Sequence, residues 1–277
     1  MKVDIFGIKI DAITTDQVLE KIKDFLTESK FHYLVTANPE LALKAWADPK
    51  LLPIIHSADL VTADGVGLVW AAKFLQLRTK SLLLSLGQAY FTALMILIRK
   101  KSYYSLIPER VRGVDLMEKI CETAAQKNWK VFLLGGLPGV ADKTTKILKK
   151  RYLNLEIVGC DPGPVDLNSA TDAENLRLIE KINMTKSDII FVAFGQPKQD
   201  FWICANSHNL PSVRLAIGVG GSFDFISGRI KRAPEIYQEL GLEWLWRLIN
   251  EPSRAWRIFN ATFRFIYKVT LLKKHLA

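Results

Sequence analysis

Asp64, followed by Gly65, ends the run Ser57-Ala-Asp-Leu-Val-Thr-Ala-Asp-Gly65 and is the first candidate in this chain for chemistry. The run has an upstream echo in Phe31-His-Tyr-Leu-Val-Thr-Ala-Asn-Pro-Glu40. Each is apolar and then breaks into hydroxyl, amide and carboxylate groups, as a buried strand does where it leaves a sheet for a loop. Two parallel strands ending side by side would bring Thr36, Asn38, Glu40, Thr62 and Asp64 to one rim. The carboxyl rim of an open α/β sheet is where ligands bind, and a carboxylate held there can serve acid–base chemistry. The competing reading is a pair of capping loops, since Asn-Pro and Asp-Gly are ordinary turn dipeptides.

Three further stretches have the composition of such a rim. Leu134-Gly-Gly-Leu-Pro-Gly139 joins a strand to a helix, and Gly136 would let backbone N–H groups approach a phosphate near a helix N-terminus. It matches neither GxGxxG nor GxxxxGK[ST], although Asp161 follows the next strand where a dinucleotide fold carries its ribose-binding acid. In Phe194-Gly-Gln-Pro-Lys-Gln-Asp200, the side chains of Gln196, Lys198 and Gln199 would face the crevice of Thr36 and Asp64; two amides and an ammonium suit polyhydroxy and phosphate ligands. Gly218-Val-Gly-Gly-Ser-Phe-Asp224, which contains Gly220, is a fourth rim whose alternative is close backbone packing.

Absences narrow the chemistry. There is no DxD, which disfavours a divalent-metal clamp, and no GxSxG nucleophile elbow. The four histidines are isolated and the three cysteines scattered, so no metal site and no disulfide framework is expected, and a reducing compartment is. A metal-free enzyme expelling a nucleotide diphosphate needs cationic side chains at the leaving group, and an arginine fork suits phosphate. Arg110, Arg247, Arg254 and Arg257 are available.

The elements that would carry these residues alternate. After a hairpin over 3–13 and a helix capped by Thr14 or Thr15, strands and helices succeed one another to the last strand at 214–220. That alternation implies a Rossmann-like, largely parallel sheet with helices on both faces, over about 1–228. Pro53 reads as punctuation before the second rim strand, and 155–158 as a strand. The apolar run 81–98, inside a stretch of about 79–107, reads as a buried or membrane-interface helix rather than a span. From 229 a helical appendage follows, with one helix over 234–250 and, after Pro252, a last helix capped by Ser253. On that helix Trp256, Phe259, Phe263, Ile266, Tyr267 and Thr270 fall on one stripe beside Arg254, Arg257, Arg264 and Lys268.

Charge points the same way. Of the chain's net +10, a net +6 lies in the last 31 residues. A basic amphipathic helix of this kind lies on anionic membranes, at about 1 kcal/mol per basic residue; docking on the core or on a second copy is the alternative. The basic face is interleaved with a continuous apolar stripe, so no nucleic-acid partner is expected. The amino terminus shows no signal peptide, which implies a cytoplasmic protein.

In series, Thr36-Ala-Asn-Pro-Glu40, Ala63-Asp-Gly65, Pro108-Glu-Arg-Val-Arg-Gly113, Gly195-Gln-Pro-Lys-Gln-Asp200, Gly218-Val-Gly-Gly-Ser-Phe-Asp224, Arg232-Ala-Pro234 and Gly241-Leu-Glu-Trp-Leu-Trp-Arg-Leu-Ile-Asn-Glu-Pro-Ser-Arg254 resemble the WecG/TagA/CpsF glycosyltransferases nearly end to end. The resemblance implies a bacterial, metal-independent, inverting enzyme without a cofactor. Such an enzyme moves N-acetylmannosamine, its uronic acid or a related hexose from a UDP-sugar to a polyprenyl-diphosphate-linked N-acetylglucosamine, in cell-surface polysaccharide synthesis. It would sit peripherally on the inner face of the plasma membrane, as a monomer or a homo-oligomer. Asp64 matches the family's proposed general base, with Thr36 and Asn38 beside it and Gln199 in the pocket. Arg247, Arg254 and Arg257 match arginines of the membrane-touching appendage. Two departures stand out: the stretch 79–107 is an insertion, and Asp200 replaces the usual glutamate. The competing classes are a nicotinamide-dependent oxidoreductase, suggested by Gly135, Gly136, Gly139 and Asp161, and a non-catalytic membrane scaffold.

Overall fold

The structure, a computed structural model, describes residues 1–77, 84–85, 87–89, 91–92, 106–164, 171–250 and 255–276. The insertion expected at 79–107 therefore lies largely outside the described residues, as does Arg254, and the side chains of Arg257 and Phe259 do too.

β1 (Lys2–Ile5) and β2 (Ile8–Asp11) form the expected hairpin, turning through Phe6 and Gly7 at positive φ. Thr14 then caps α1 (Thr15–Phe25) in a reciprocal box with Gln17. Six strands make one sheet: β3 (His32–Ala37), β4 (Leu60–Ala63), β5 (Val131–Gly135), β6 (Ile157–Asp161), β7 (Ile189–Ala193) and β8 (Leu215–Gly218). They run parallel in the order β4-β3-β8-β7-β5-β6. Between them lie α2 (Pro39–Ala47), α3 (Leu51–His56), α4 (Val66–Gln76), α5 (Gly113–Lys127), α6 (Val140–Arg151), α7 (Asp172–Thr185) and α8 (Lys198–Asn206). α9 (Ser222–Ile226) follows β8.

Successive strand side chains point to opposite faces, and both faces are buried. Tyr33, Val35, Phe132, Leu134, Ile190, Val192 and Ala216 enter one core, with α2, α3, α4, α7 and α8. Leu34, Val131, Leu133, Ile189, Phe191, Leu215 and Ile217 enter the other, with α1, α5, α6 and α9. Because α2 leaves β3 onto one face and α9 leaves β8 onto the other, a crevice opens between them at the carboxyl edge. β4 is an edge strand, and two of its outer backbone groups are occupied. The Val61 N–H donates to the Asp11 carboxylate at 3.0 Å, and the Ala63 carbonyl accepts from the Val111 N–H at 2.9 Å.

Four expectations need correction. Pro53 lies inside α3, in its first turn, where its missing N–H would have no helical partner in any case. The strand expected at 155–158 is β6, shifted toward Asp161. The helix expected over 234–250 is two, α10 (Glu235–Glu239) and α11 (Glu243–Asn250), broken where Gly241 takes φ +69°. The last helix is not one continuous stripe. α12 (Ala255–Phe259) passes through a π-helical turn over Asn260–Arg264 into α13 (Phe265–Leu276). The turn rotates the faces, so Phe265, Val269 and Thr270 are buried while Trp256, Phe263 and Tyr267 are exposed. Phe265 sits edge-on to Phe6 and Trp70, and the buried Lys273 ammonium lies 4.0 Å above the Phe74 ring and donates to Gln88 Oε1 at 2.6 Å. The end of the tail thus docks on the core. Among the described residues no helix is long and apolar enough to cross a membrane.

Candidate active site

β3 and β4 pair in register, Thr36 opposite Thr62 and Ala37 opposite Ala63, and the Asp64 N–H donates to the Ala37 carbonyl at 2.7 Å. The pairing sets Thr36 and Asp64 on the face that carries α5. At the N-terminus of that helix Gly113 approaches both: a Cβ built there would lie 3.4 Å from Asp64 Oδ2 and 3.6 Å from Thr36 Oγ1. The Gly113 N–H donates to the Asp64 carboxylate. The Thr36 hydroxyl donates to the Gly218 carbonyl at 2.9 Å, which ties the β3 and β8 ends together.

Above them is a cavity of about 410 Å³. Asn38, Glu40 and Asp64 line it from the sheet side, Arg110 and Arg112 from the loop before α5, Gly113 from the start of α5, and Arg232, Glu243, Arg247 and Phe265 from the tail. Burial pushes the Asp64 carboxyl up to about 6; the Arg110 charge and the Gly113 N–H oppose the rise, and Glu243 and Asp115 add to it. A carboxylate so held ionises near neutrality, as a general base should. The opposite wall is cationic. Arg110 pairs with Glu243 at 3.0 Å, while Arg112 and Arg232 both pair with Asp115.

The other sequence candidates divide. Asn38 lines the cavity, but its Oδ1 is taken up in capping α2, accepting from the Leu41 N–H at 2.9 Å. Gln196, Lys198 and Gln199 do not line it, contrary to the expectation that they face one crevice with Asp64. Gln196 reaches Thr36 through the backbone, donating Nε2 to its carbonyl at 2.7 Å, and Lys198 is exposed. Gln199 is buried under Gly218, accepting from the Gly220 N–H at 3.0 Å. Gly136 and Gly220, both at positive φ, close the ends of β5 and β8 outside the cavity wall. Asp161 pairs with Lys181 and accepts from the Gly163 N–H, so its carboxylate is engaged locally on the edge strand β6. Arg247 lines the cavity; Arg254 and the Arg257 side chain lie outside the described residues.

Sequence reasoning missed Glu243, Arg112, Arg232 and the seat that Gly113 gives the carboxylate. Their one signal was membership of the motifs 108–113, 232–234 and 241–254. Asp200 is buried and accepts from the Tyr33 hydroxyl; burial pushes it up to about 6, against that hydrogen bond.

The family model of the Glycosyl transferase WecG/TagA/CpsF family matches residues 3–95 and 92–276, its two pieces meeting inside the stretch expected as an insertion. A Bacillus spizizenii protein named N-acetylglucosaminyldiphosphoundecaprenol N-acetyl-beta-D-mannosaminyltransferase is 30% identical over 266 residues, covering 96% of this chain and 88% of its own length. One of the same name from Staphylococcus aureus strain MRSA252 is 30% identical over 277 residues, covering 99% of this chain and 94% of its own. A match along this whole length, on a fold whose carboxyl rim holds an acid beneath a wall of arginines, makes the chain a member of the WecG/TagA/CpsF glycosyltransferase family.

Proposed function

We propose that the enzyme transfers N-acetylmannosamine, its uronic acid or a related hexose from a UDP-sugar to a polyprenyl-diphosphate-linked N-acetylglucosamine at the inner face of the plasma membrane, with Asp64 as general base. The observation that carries this is the half-buried Asp64 carboxyl, pushed up to about 6, on the floor of a cavity walled by Arg110, Arg112, Arg232 and Arg247. The names of the relatives supply the sugar and the acceptor.

An acceptor hydroxyl oxygen forms a bond to the anomeric carbon as the bond from that carbon to the UDP oxygen breaks, in one inverting displacement. The hydroxyl proton passes to Asp64. The charge developing on the diphosphate is offset by the arginine wall, which does the work a divalent ion does elsewhere. Thr36 fixes the β3–β8 crevice through Gly218, and Asn38 fixes the start of α2. Gln196 and Gln199 hold the neighbouring strand ends through the Thr36 carbonyl and the Gly220 N–H. The core over 1–228 and the appendage over 229–277 act together, the appendage supplying the cavity's outer wall and the membrane contact.

Asp64→Asn tests the reading. Turnover of a UDP-sugar panel with a short prenyl-diphosphate-linked N-acetylglucosamine should fall at least about a thousandfold, general-base loss combined with mispositioning, while UDP binding measured by calorimetry stays within about threefold. Wild-type turnover in that variant ends the assignment.

A further inference from the structure

The tail sends one acid into the cavity beside four arginines, and the transfer as derived so far makes no use of it. Glu243, the first residue of α11, accepts from Arg110 Nη1 at 3.0 Å. The same guanidinium donates from Nη2 to the Gln238 carbonyl at 2.6 Å, so the two ends of the tail bend grip both prongs of one side chain. Gln238 is fixed in turn: its Oε1 accepts from Arg112 at 3.0 Å and its Nε2 donates to the Ala233 carbonyl at 2.7 Å. Between the grips, Gly241 lies so close to α4 that a Cβ there would come within 2.9 Å of Val66. Val66 is two residues after Asp64, so the base loop, the bend and Arg110 form one contiguous contact.

The pair is withdrawn from water, with side chains only 14% and 30% exposed. In such surroundings an arginine that loses its acid keeps its charge and its rotamer freedom but not its place. We propose that Glu243 is a positioning residue for the transfer: by gripping Arg110 it fixes the guanidinium beside Asp64. This rests on the reading of Asp64 as base. The charged groups facing Asp64 are Glu40 of α2, Arg110 and Arg112 of the preceding loop, Asp115 of α5, Arg232, and Glu243 and Arg247 of α11.

The test is a double-mutant cycle read as kcat/KM against pH, on the full chain with vesicles, for wild type, E243Q, E243D, R110A and the R110A/E243Q pair. E243Q should lower the plateau at least about tenfold, the cost of a misplaced group, and move the acidic limb up by up to about one pH unit, since the displaced Arg110 charge held the Asp64 carboxyl down more than Glu243 pushed it up. E243D should recover most of the plateau and return the limb. In the R110A background E243Q should change the plateau less than about twofold, because residues that act through each other are non-additive. Additive losses, or a plateau drop with an unmoved limb, overturn the proposal by leaving Glu243 a merely structural role. If E243Q does not fold, the same cycle with E243D decides, with a partial loss expected in wild type and none in R110A. Activity of D64N would fell the base assignment itself, whereas additivity with D64N inactive fells only the role of Glu243.

Discussion

A carboxyl group that ionises near pH 6 makes two demands on its protein. For catalysis, Asp64 must be charged, so kcat/KM should rise with pH and level off above about 6, and a pH–rate profile measures this. For stability the sign is opposite. The folded protein holds the Asp64 proton more tightly than the unfolded chain does, so this group's favourable contribution is full below about pH 4 and is lost as pH rises through about 6. Asp64→Asn should therefore raise the melting temperature at pH 7.5, by the equivalent of about 1–3 kcal/mol, and leave it unchanged near pH 3.5. Thermal melts at the two pH values check both halves. Asp64, Thr36 and Asn38 were legible because their signal is local: Leu-Val-Thr-Ala recurs at 34–37 and 60–63, each time followed by a polar break. Glu243 and Arg232 carry no local mark, since an acid and an arginine near a helix start are ordinary. Folding alone brings them to Asp64. Gln199 misled for a related reason: an amide at a strand's end can face a ligand or a backbone N–H, and here its oxygen takes the N–H of Gly220.

The strands and most helices were legible to within a few residues because a sheet covered on both faces demands unbroken apolar runs, and capping residues mark where helices start. The tail was not. A π-turn adds a residue to one helical turn and so rotates everything after it by about 100°, turning Phe265 and Thr270 inward and leaving Phe263 outward where 3.6-residue spacing puts Phe263 and Thr270 on one stripe. Nor did the sequence demand a bend at Gly241, since a glycine can be carried within a helix at about 1 kcal/mol. The bend follows from the seat on Val66. Gly241→Ala must hold a left-handed φ at about 1–2 kcal/mol and push Val66 aside as well. The expected result is a lower melting temperature together with reduced kcat/KM, by calorimetry and steady-state kinetics.

The tail divides its aromatic residues between two environments. Phe265 is buried against Phe6 and Trp70, whereas Trp256, Phe263 and Tyr267 are 74%, 52% and 60% exposed, with Arg264 exposed among them. Aromatic rings beside basic side chains suit the headgroup layer of an anionic bilayer. The triple variant W256A/F263A/Y267A should bind anionic vesicles at least about tenfold more weakly in flotation assays, with the melting temperature little changed. F265A should do the reverse, losing about 3–5 kcal/mol of stability as large core deletions do. One consequence concerns crowding. An enzyme confined to a two-dimensional film meets its own copies often, and an open sheet margin invites them to splice strands into a ribbon. Here the margin nearest the base is already engaged at two points, with the Asp11 carboxylate on the Val61 N–H and the Val111 N–H on the Ala63 carbonyl, so a neighbour jostling on that side finds neither group free to splice.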